Sequence, residues 1–259
     1  AIKVPMWPVH TWLPDAHVEA PTPGSVVLAG VMLKMGTYGF LRFVIPLFPE
    51  AAEHYAWVFL FLGAVGIVYG ALVAMVQPDM KKLGAYSSVS HMGYVVLGLF
   101  AMNSYGVTGA IYQMLNHGVS TGALFLLVGM IYERTHSREI ERYGGLAKVM
   151  PIYTILFFIV TLSSIAVPMT NGFVGEFLIL LGGFQAFGSL AVVGVVLGAV
   201  YMLWMFKRVF FGEAGPLVKD EHHPLHDVGV REFVVMVPLV ILIFWMGLMP
   251  EPFLKYTKA

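Results

Sequence analysis

Cysteine is absent from the chain, and charged residues are scarce. The lack of cysteine excludes disulfides, thiolate metal sites and cysteine-ligated iron–sulfur clusters within these 259 residues. Charged residues make up 12% of the sequence, whereas soluble domains carry about 25%. The formal net charge is zero, so no basic field attracts nucleic acid and no acidic field attracts a basic partner.

Motifs for several classes of chemistry are also missing. The sequence contains no GxxxxGK[ST] phosphate loop, no GxGxxG turn and no HExxH metal motif. The run 221–227 is rich in histidine, but its proline and its loop setting favour a solvated connector over a metal site. We therefore predict no metal or cofactor site in this chain, and we expect any redox chemistry to belong to partner proteins.

Apolar residues, by contrast, are abundant. They account for 58% of the sequence, and the mean hydropathy is +0.80. A helix needs about 20 mostly apolar residues to cross a bilayer, and lipid forces each segment to satisfy its own backbone hydrogen bonds. The sequence thus predicts an all-α, polytopic transmembrane bundle. The predicted spans are 22–47, 55–77, 83–102, 106–132, 151–182, 187–206 and 233–250, preceded by a partial span at 1–13.

Two features concern the ends and the orientation of the chain. It begins inside a hydrophobic pattern without Met or a signal peptide, so we expect the C-terminal part of a longer protein. Ten of its fifteen Lys and Arg residues fall in three loops on one side of the predicted spans, and three fall on the other side. The positive-inside rule then predicts that the first side is cytoplasmic and that the C-terminus is outside.

Lys34 lies near the middle of the predicted span 22–47, about twelve residues from either end. A central lysine costs about 2.5–3.5 kcal/mol on insertion scales, so it must face protein or water. Removal from water favours the neutral amine, which can accept and release protons. The alternative is a structural lysine that snorkels to the interface, but the distance to either interface argues against it.

Glu176 is the only acidic residue inside a predicted span. Pro168, Asn171 and Gly172 come just before it and should break the helix. Broken helices beside an ionisable group are a recurrent design in transporters. We therefore favour a transport role for Glu176 over a carboxylate that only pairs with a neighbouring helix.

Three more residues are candidates for proton transfer. Lys3 precedes Pro5 and should also lie beside a broken helix. His91 and His117 are each well inside a span, and a neutral imidazole can donate on one nitrogen and accept on the other. A lone histidine in a span is more often a packing residue, but two of them among Ser, Thr and Asn favour a relay.

Two weaker patterns have open interpretations. Asp15, His17 and Glu19 are expected in a loop at the cytoplasmic mouth, where helix capping and proton entry explain them equally well. The Gly66-x-x-x-Gly70 pair predicts a close contact between helices instead of a catalytic loop.

Three segments carry a resemblance to a known family. They are KVPMWPVHTWLPDAHVEAPTPGSVVLAGVMLK at 3–34, QPDMKKLGAYSSVSHMG at 77–93 and NGFVGEF at 171–177. Together they resemble the antiporter-like membrane subunits of respiratory complex I, NADH-quinone oxidoreductase, over the full length of the chain. The larger L type of these subunits is expected to have a lysine at the position of Glu176 and a long lateral helix after the last span, so the resemblance favours a different type.

The resemblance implies a fold and a set of functional residues. Its fourteen spans include two inverted five-helix repeats, so residues 1–50 would end the first repeat, 51–212 would form the second, and 213–259 would hold a loop and the last helix. It implies a proton path through Lys3, Lys34, His91, His117 and Glu176. The helix-five glutamate that pairs with the Lys3 position would lie upstream of this chain.

The resemblance also implies partners and location. It places NADH, FMN, iron–sulfur clusters and quinone in partner subunits, and it makes L-type and N-type membrane subunits the neighbours in a bacterial inner membrane. Three alternatives stay open from the sequence: a subunit of a multisubunit sodium/proton antiporter, a subunit of a membrane-bound hydrogenase complex, and a scaffold subunit with an inactive polar axis.

Overall fold

A computed structural model of the chain describes residues 1–184, 187–219 and 224–256. These ranges are helical and contain no strand, only an isolated bridge between Asp79 and Glu139. In chain order the helices are α1 Trp12–Glu19, α2 Thr22–Leu47, α3 Pro49–His54, α4 Ala56–Met75, α5 Met80–Phe100, α6 Ser104–Thr135, α7 Pro151–Ser164, α8 Asn171–Gly183, α9 Gly188–Phe210, α10 Val230–Leu248 and α11 Glu251–Leu254.

Within the described residues, five helices are long and apolar enough to cross a membrane: α2, α4, α6, α9 and α10. The predicted all-α transmembrane fold is confirmed. Two π-helical turns, Leu28–Met32 and Phe40–Val44, interrupt α2 without ending it. Several helices extend beyond their predicted ends, so Glu133 and Glu232 lie in the end turns of α6 and α10.

The predicted span 151–182 is two half-helices, α7 and α8. The break at 165–170 includes Ala166 and Met169, both with positive φ, and it begins just before Pro168, where the sequence predicted it. Proline cannot continue a helix, and residues in the left-handed conformation change the direction of the chain. A new helix, α8, therefore begins at Asn171.

The predicted partial span at 1–13 is wrong. Residues 2–11 form turns, and α1 begins only at Trp12. Pro5 and Pro8 prevent a helix before this point, whereas Pro14 falls in the first turn of α1, where proline is tolerated. For the same reason, Asp15, His17 and Glu19 lie on a helix and not in the predicted loop.

Glycines set the distance between α4 and α5. A Cβ atom on Gly70 would lie 2.8 Å from the backbone nitrogen of Ser90, and one on Gly63 would lie 3.0 Å from the carbonyl oxygen of Gly93. Such distances leave no room for a side chain, so the predicted close helix contact is confirmed at Gly70, whereas a Cβ on Gly66 would lie 4.0 Å from Gly93 Cα, an ordinary distance.

The loops rich in Lys and Arg meet at one end of the bundle, here called the basic end (residues 76–82, 136–150, 211–219 and 224–229). Met80 donates its N–H to the carbonyl of Arg138, and Gly145 donates to that of Phe211. Burial raises the pKa of the Tyr143 phenol to about 12, so this loop residue remains a neutral donor, to the Ser137 carbonyl.

A cluster of charges at the basic end, the clamp (Arg134, Asp227 and Glu232), joins four segments. The guanidinium of Arg134 on α6 donates to both carboxylate oxygens of Glu232 on α10, at 2.7 and 2.6 Å. The Asp227 carboxylate accepts the N–H groups of Ile152 and Tyr153 at the start of α7. It thereby satisfies two backbone donors that a helix start leaves unpaired.

Candidate functional site

Two side-chain pairs form in the interior of the bundle. Lys34 Nζ on α2 donates to His117 Nδ1 on α6 at 2.6 Å. His91 Nδ1 on α5 donates to Glu176 Oε1 on α8 at 3.0 Å. These contacts join residues 83 and 85 positions apart in sequence, so four different helices each contribute one ionisable group.

The two pairs meet at their imidazoles. The ring centroids of His91 and His117 are 5.6 Å apart, with the planes at 61°. Lys34, His117, His91 and Glu176 therefore follow one another without interruption, and they are called the row below. Four of the five residues predicted as a proton path thus lie side by side.

Local irregularities position the two ends of the row. The π turn Leu28–Met32 lies directly before Lys34, and Lys34 Nζ also donates to the carbonyl of Ala29 in this turn. The close approach of α2 and α6 is set by Gly118, where a Cβ would lie 3.0 Å from the Gly30 carbonyl oxygen. At the other end, Glu176 lies in the second turn of the half-helix that follows the break.

Every member of the row is less than a tenth exposed. Lys34 and Glu176 are therefore removed from water, yet each contacts an imidazole instead of an oppositely charged side chain. Placing a charge in such surroundings is costly unless hydrogen bonds compensate it. A row of this kind favours changes of protonation over fixed charges.

Amide and hydroxyl groups surround the row. Gln113 Nε2 donates to Glu176 Oε1 at 3.0 Å, and Asn116 Nδ2 donates to Gln113 Oε1 at 3.2 Å. Ser163, before the helix break, donates to Asn171 Oδ1, after it, at 2.6 Å. This bond fixes the start of α8 and hence the place of Glu176.

The sequence did not predict the contacts of Gln113, Ser163 and Asn171. It indicated Asn171 only as a residue that breaks the helix. Part of the pattern was visible: Gln113, Asn116, His117 and Ser120 follow the spacing of one helix face. The contacts of Ser163 depend on how the two half-helices meet, and no spacing in the sequence shows that.

A small polar cavity touches the row. Both histidines line it, together with Asn116, Thr121 and Ser163 among others. Water centres can occupy about 10 Å³ of it, which is close to the minimum for one water molecule. Two polar atoms of its lining, His117 Nε2 and Asn116 Oδ1, are buried and have no hydrogen-bond partner within the described ranges.

Lys3, the fifth predicted path residue, does not join the row. Its side chain is exposed, and no hydrogen bond or ion pair connects it to the row within the described residues. Its backbone does pack against α2, because a Cβ on Gly36 would lie 3.0 Å from the Lys3 carbonyl carbon. The structure therefore places Lys3 beside the helix that carries Lys34.

In the part of the chain that the structure describes, no group of three or more His, Cys, Asp or Glu side chains could hold a metal ion. Part of the histidine-rich run, residues 221–223, lies outside the described residues.

Comparisons with known proteins agree with this architecture. The family described as NADH:quinone oxidoreductase/Mrp antiporter, transmembrane, matches residues 1–203. NADH-quinone oxidoreductase subunit M of Rhodobacter capsulatus is 56% identical over 254 residues, covering 97% of this chain and 49% of that protein. The chain spans about half the length of the curated relatives it matches.

Solved structures share the fold. A chain of respiratory complex I from Thermus thermophilus superposes with a TM-score of 0.93 at 38% identity, over 100% of this chain and 54% of that one. A chain of the Mrp complex from Dietzia sp. DQ12-45-1b gives 0.91 at 23% identity, over 100% and 56%, and shows the fold alone. The family match covers more than half of the residues, and so the chain belongs to the NADH:quinone oxidoreductase/Mrp antiporter transmembrane family.

Proposed function

We propose that the row conducts protons in a membrane-arm subunit of NADH:quinone oxidoreductase. The single observation that carries this proposal is the uninterrupted contact from Lys34 through His117 and His91 to Glu176. Its members are buried, titratable and drawn from four helices. The 56% identity to a subunit M supports the M type of subunit, as does a glutamate at position 176.

The proposed mechanism is electrostatic. Quinone reduction elsewhere in the complex changes the charge at one end of the membrane arm, and a change of charge beside Lys3 or Lys34 alters the proton affinity of its neighbour. The lysine releases its proton to His117, and the proton passes through His91 to Glu176. Each imidazole accepts a proton at one nitrogen and releases one from the other, so both rings return to neutrality.

The energy scale is modest. Moving one charge against about 100 mV costs about 2.3 kcal/mol. Buried pairs can supply such an amount, because a shift of one pKa unit corresponds to about 1.4 kcal/mol. In this proposal Lys3 is the central lysine, and its partner glutamate belongs to the upstream helices that the family resemblance implies.

The setting of the subunit is part of the proposal. By the positive-inside rule the basic end faces the cytoplasm of a bacterial inner membrane, and the C-terminus faces the periplasm. NADH, FMN, iron–sulfur clusters and quinone bind to other subunits, and L-type and N-type subunits are the membrane neighbours. Residues 1–50 complete one inverted repeat, and 51–212 form the next.

The test is NADH-driven proton uptake by proteoliposomes that contain the assembled complex with the full-length subunit. We expect Glu176→Gln to abolish proton uptake while assembly is preserved, because the amide keeps the shape of the side chain and cannot carry the proton. Glu251→Gln, an exposed carboxylate on α11, serves as the matched control. An unchanged proton-to-electron ratio in Glu176→Gln would make the row a structural feature.

The second candidate is a subunit of a multisubunit sodium/proton antiporter, since the family description covers Mrp antiporters as well. The row would then exchange protons against sodium without any quinone-reducing partner. Sodium-dependent proton movement in vesicles without NADH, at wild-type level and absent in Glu176→Gln, would favour this candidate.

A further inference from the structure

A third histidine of the interior, His17 on α1, takes no part in the row. Its side chain is fully buried, and neither ring nitrogen has a partner among the residues that the structure describes. The ring stacks on Phe125 of α6, with the centroids 4.5 Å apart and the planes at 12°. Two unpaired polar atoms in a buried ring are costly unless they serve another purpose.

The stacking fixes the height of His17 in the bundle. Phe125 lies eight residues after His117 on α6, which corresponds to about 12 Å along the axis of the helix. On α5, the residue that faces Phe125 is Gly84, where a Cβ would lie 3.5 Å from the ring. His17 is therefore level with Gly84 and Phe125, nearer the basic end than the row.

Buried hydroxyls occupy the level between His17 and the row. Thr121 lies one helical turn from both Phe125 and His117 on α6, and it lines the small polar cavity. Ser88 lies one turn from both Gly84 and His91 on α5, and it is fully buried. From the basic end inwards, the order is therefore the His17 imidazole, then the hydroxyls of Thr121 and Ser88, then the two imidazoles of the row.

A cavity lies closer to the basic end than His17, and His17 itself does not line it. It measures about 230 Å³ and is lined by the residues directly after His17 in the chain, among them Glu19, and by Lys81 and Arg138 of the basic end. Both of these cations hold the end of α1, because Lys81 Nζ donates to the Ala20 carbonyl at 2.6 Å and Arg138 donates to the Val18 carbonyl at 3.0 Å. The cavity is large enough for several water molecules.

From this placement we infer that His17 is the uptake residue through which protons from the basic-end cavity reach the row by way of Thr121 and Ser88. The inference rests on the proposed function and deepens it by naming the side from which the row is filled. The ring takes a proton from cavity water at one nitrogen and releases one towards Thr121 from the other, so its charge is restored after each transfer.

No described residue hydrogen-bonds to the His17 ring, so substitutions at this position can separate a packing role from a role in proton uptake. His17→Phe keeps the stacking on Phe125 and breaks no hydrogen bond to protein, so a purely packing role predicts a variant that works as the wild type does. The uptake role predicts loss of proton uptake in NADH-driven proteoliposomes by about 100-fold, the lower range for removal of a positioned proton-transfer group. His17→Gln, which retains polarity but cannot ionise, should behave like His17→Phe.

His10→Phe is the matched control. His10 is likewise buried, with no partner for either ring nitrogen among the described residues, but its ring packs edge-on against Tyr69, at 5.1 Å, and Tyr86, at 6.3 Å, instead of stacking on Phe125. We expect this variant to keep the wild-type proton-to-electron ratio. Equal losses in His10→Phe and His17→Phe would show a general sensitivity to buried histidines and would overturn the inference.

The remaining outcomes separate this inference from the proposed function. Proton uptake within about twofold of wild type in His17→Phe, with uptake lost in Glu176→Gln, refutes the role of His17 alone. Retention in both variants refutes the proposed function as well. Failure of both His17 variants to assemble would identify His17 as a packing residue and also overturn the inference.

Discussion

The clamp at the basic end and the row in the interior both join helices through charged side chains, but they give those charges different partners. In the clamp, the guanidinium of Arg134 meets the carboxylate of Glu232 directly through two hydrogen bonds, and both side chains are about one-fifth exposed. In the row, Lys34 and Glu176 are each less than one-tenth exposed, and two imidazoles separate them.

This difference decides what each region can do. A bidentate pair between a guanidinium and a carboxylate is strong and geometrically specific, and arginine does not release its proton. The clamp is therefore a fixed joint. Histidine can both accept and donate a proton, so under the proposed function the row passes a proton from one member to the next without a direct ion pair being broken. Similar residue types thus form a joint in the clamp and, under the proposed function, a proton path in the row, according to partner and burial.

The largest effect that would separate the two regions is expected at Lys34. Lys34→Met keeps an unbranched side chain one atom shorter than lysine and removes the amine that donates to His117. We expect proton uptake by the assembled complex to fall by at least about tenfold, because the row loses its proton donor. Assembly should be preserved, since a buried charge is replaced by an apolar group of similar volume.

Lys82→Met, at the basic end and only half-buried, is the control for Lys34→Met in the same proteoliposome assay. Normal pumping by Lys34→Met would remove the functional distinction between row and clamp.

At the clamp we expect an effect of intermediate size, on stability instead of on proton uptake. Arg134→Ala leaves the Glu232 carboxylate without its partner and breaks the bond to the His226 carbonyl. We expect a loss of about 1–3 kcal/mol in stability, because half-buried polar groups lose their hydrogen bonds. Thermal unfolding of the solubilised complex measures it, with exposed Arg142→Ala as the control. The proton-to-electron ratio of intact complexes should stay at the wild-type value, and a lowered ratio would contradict the view of the clamp as a joint.

The smallest effect is expected at the surface of the basic end. Arg208 pairs with Glu141 at 3.2 Å, but the Glu141 side chain is 82% exposed. Exposed ion pairs contribute about 0–1 kcal/mol, so Arg208→Ala should change the unfolding temperature much less than Arg134→Ala does. An equal shift in the two variants would mean that burial does not distinguish the clamp from ordinary surface pairs.

Many features of the fold follow from local chemistry, and these were predictable. Long apolar segments predict membrane helices, and Pro168 predicts the break between α7 and α8. Because burying a charge in a membrane is costly, Lys34 and Glu176 could be predicted as functional residues from the sequence. The prediction was wrong around α1, because the prolines that prevent a helix at residues 2–11 also permit a helix to begin a few residues later, at Trp12.

The sequence by itself determined which ionisable side chains are buried, although water solvates their charged forms better. The reason is that depth in a membrane helix depends mainly on hydropathy along the chain. Only the tertiary structure decided which of them touch. The contacts of Lys34 with His117 and of His91 with Glu176 depend on the rotation and height of four helices, and these are set by close approaches such as that of Gly118 to Gly30. The position of His17, buried beside Phe125 with no partner for either ring nitrogen in the described part of the chain, likewise depends on packing and could not be predicted.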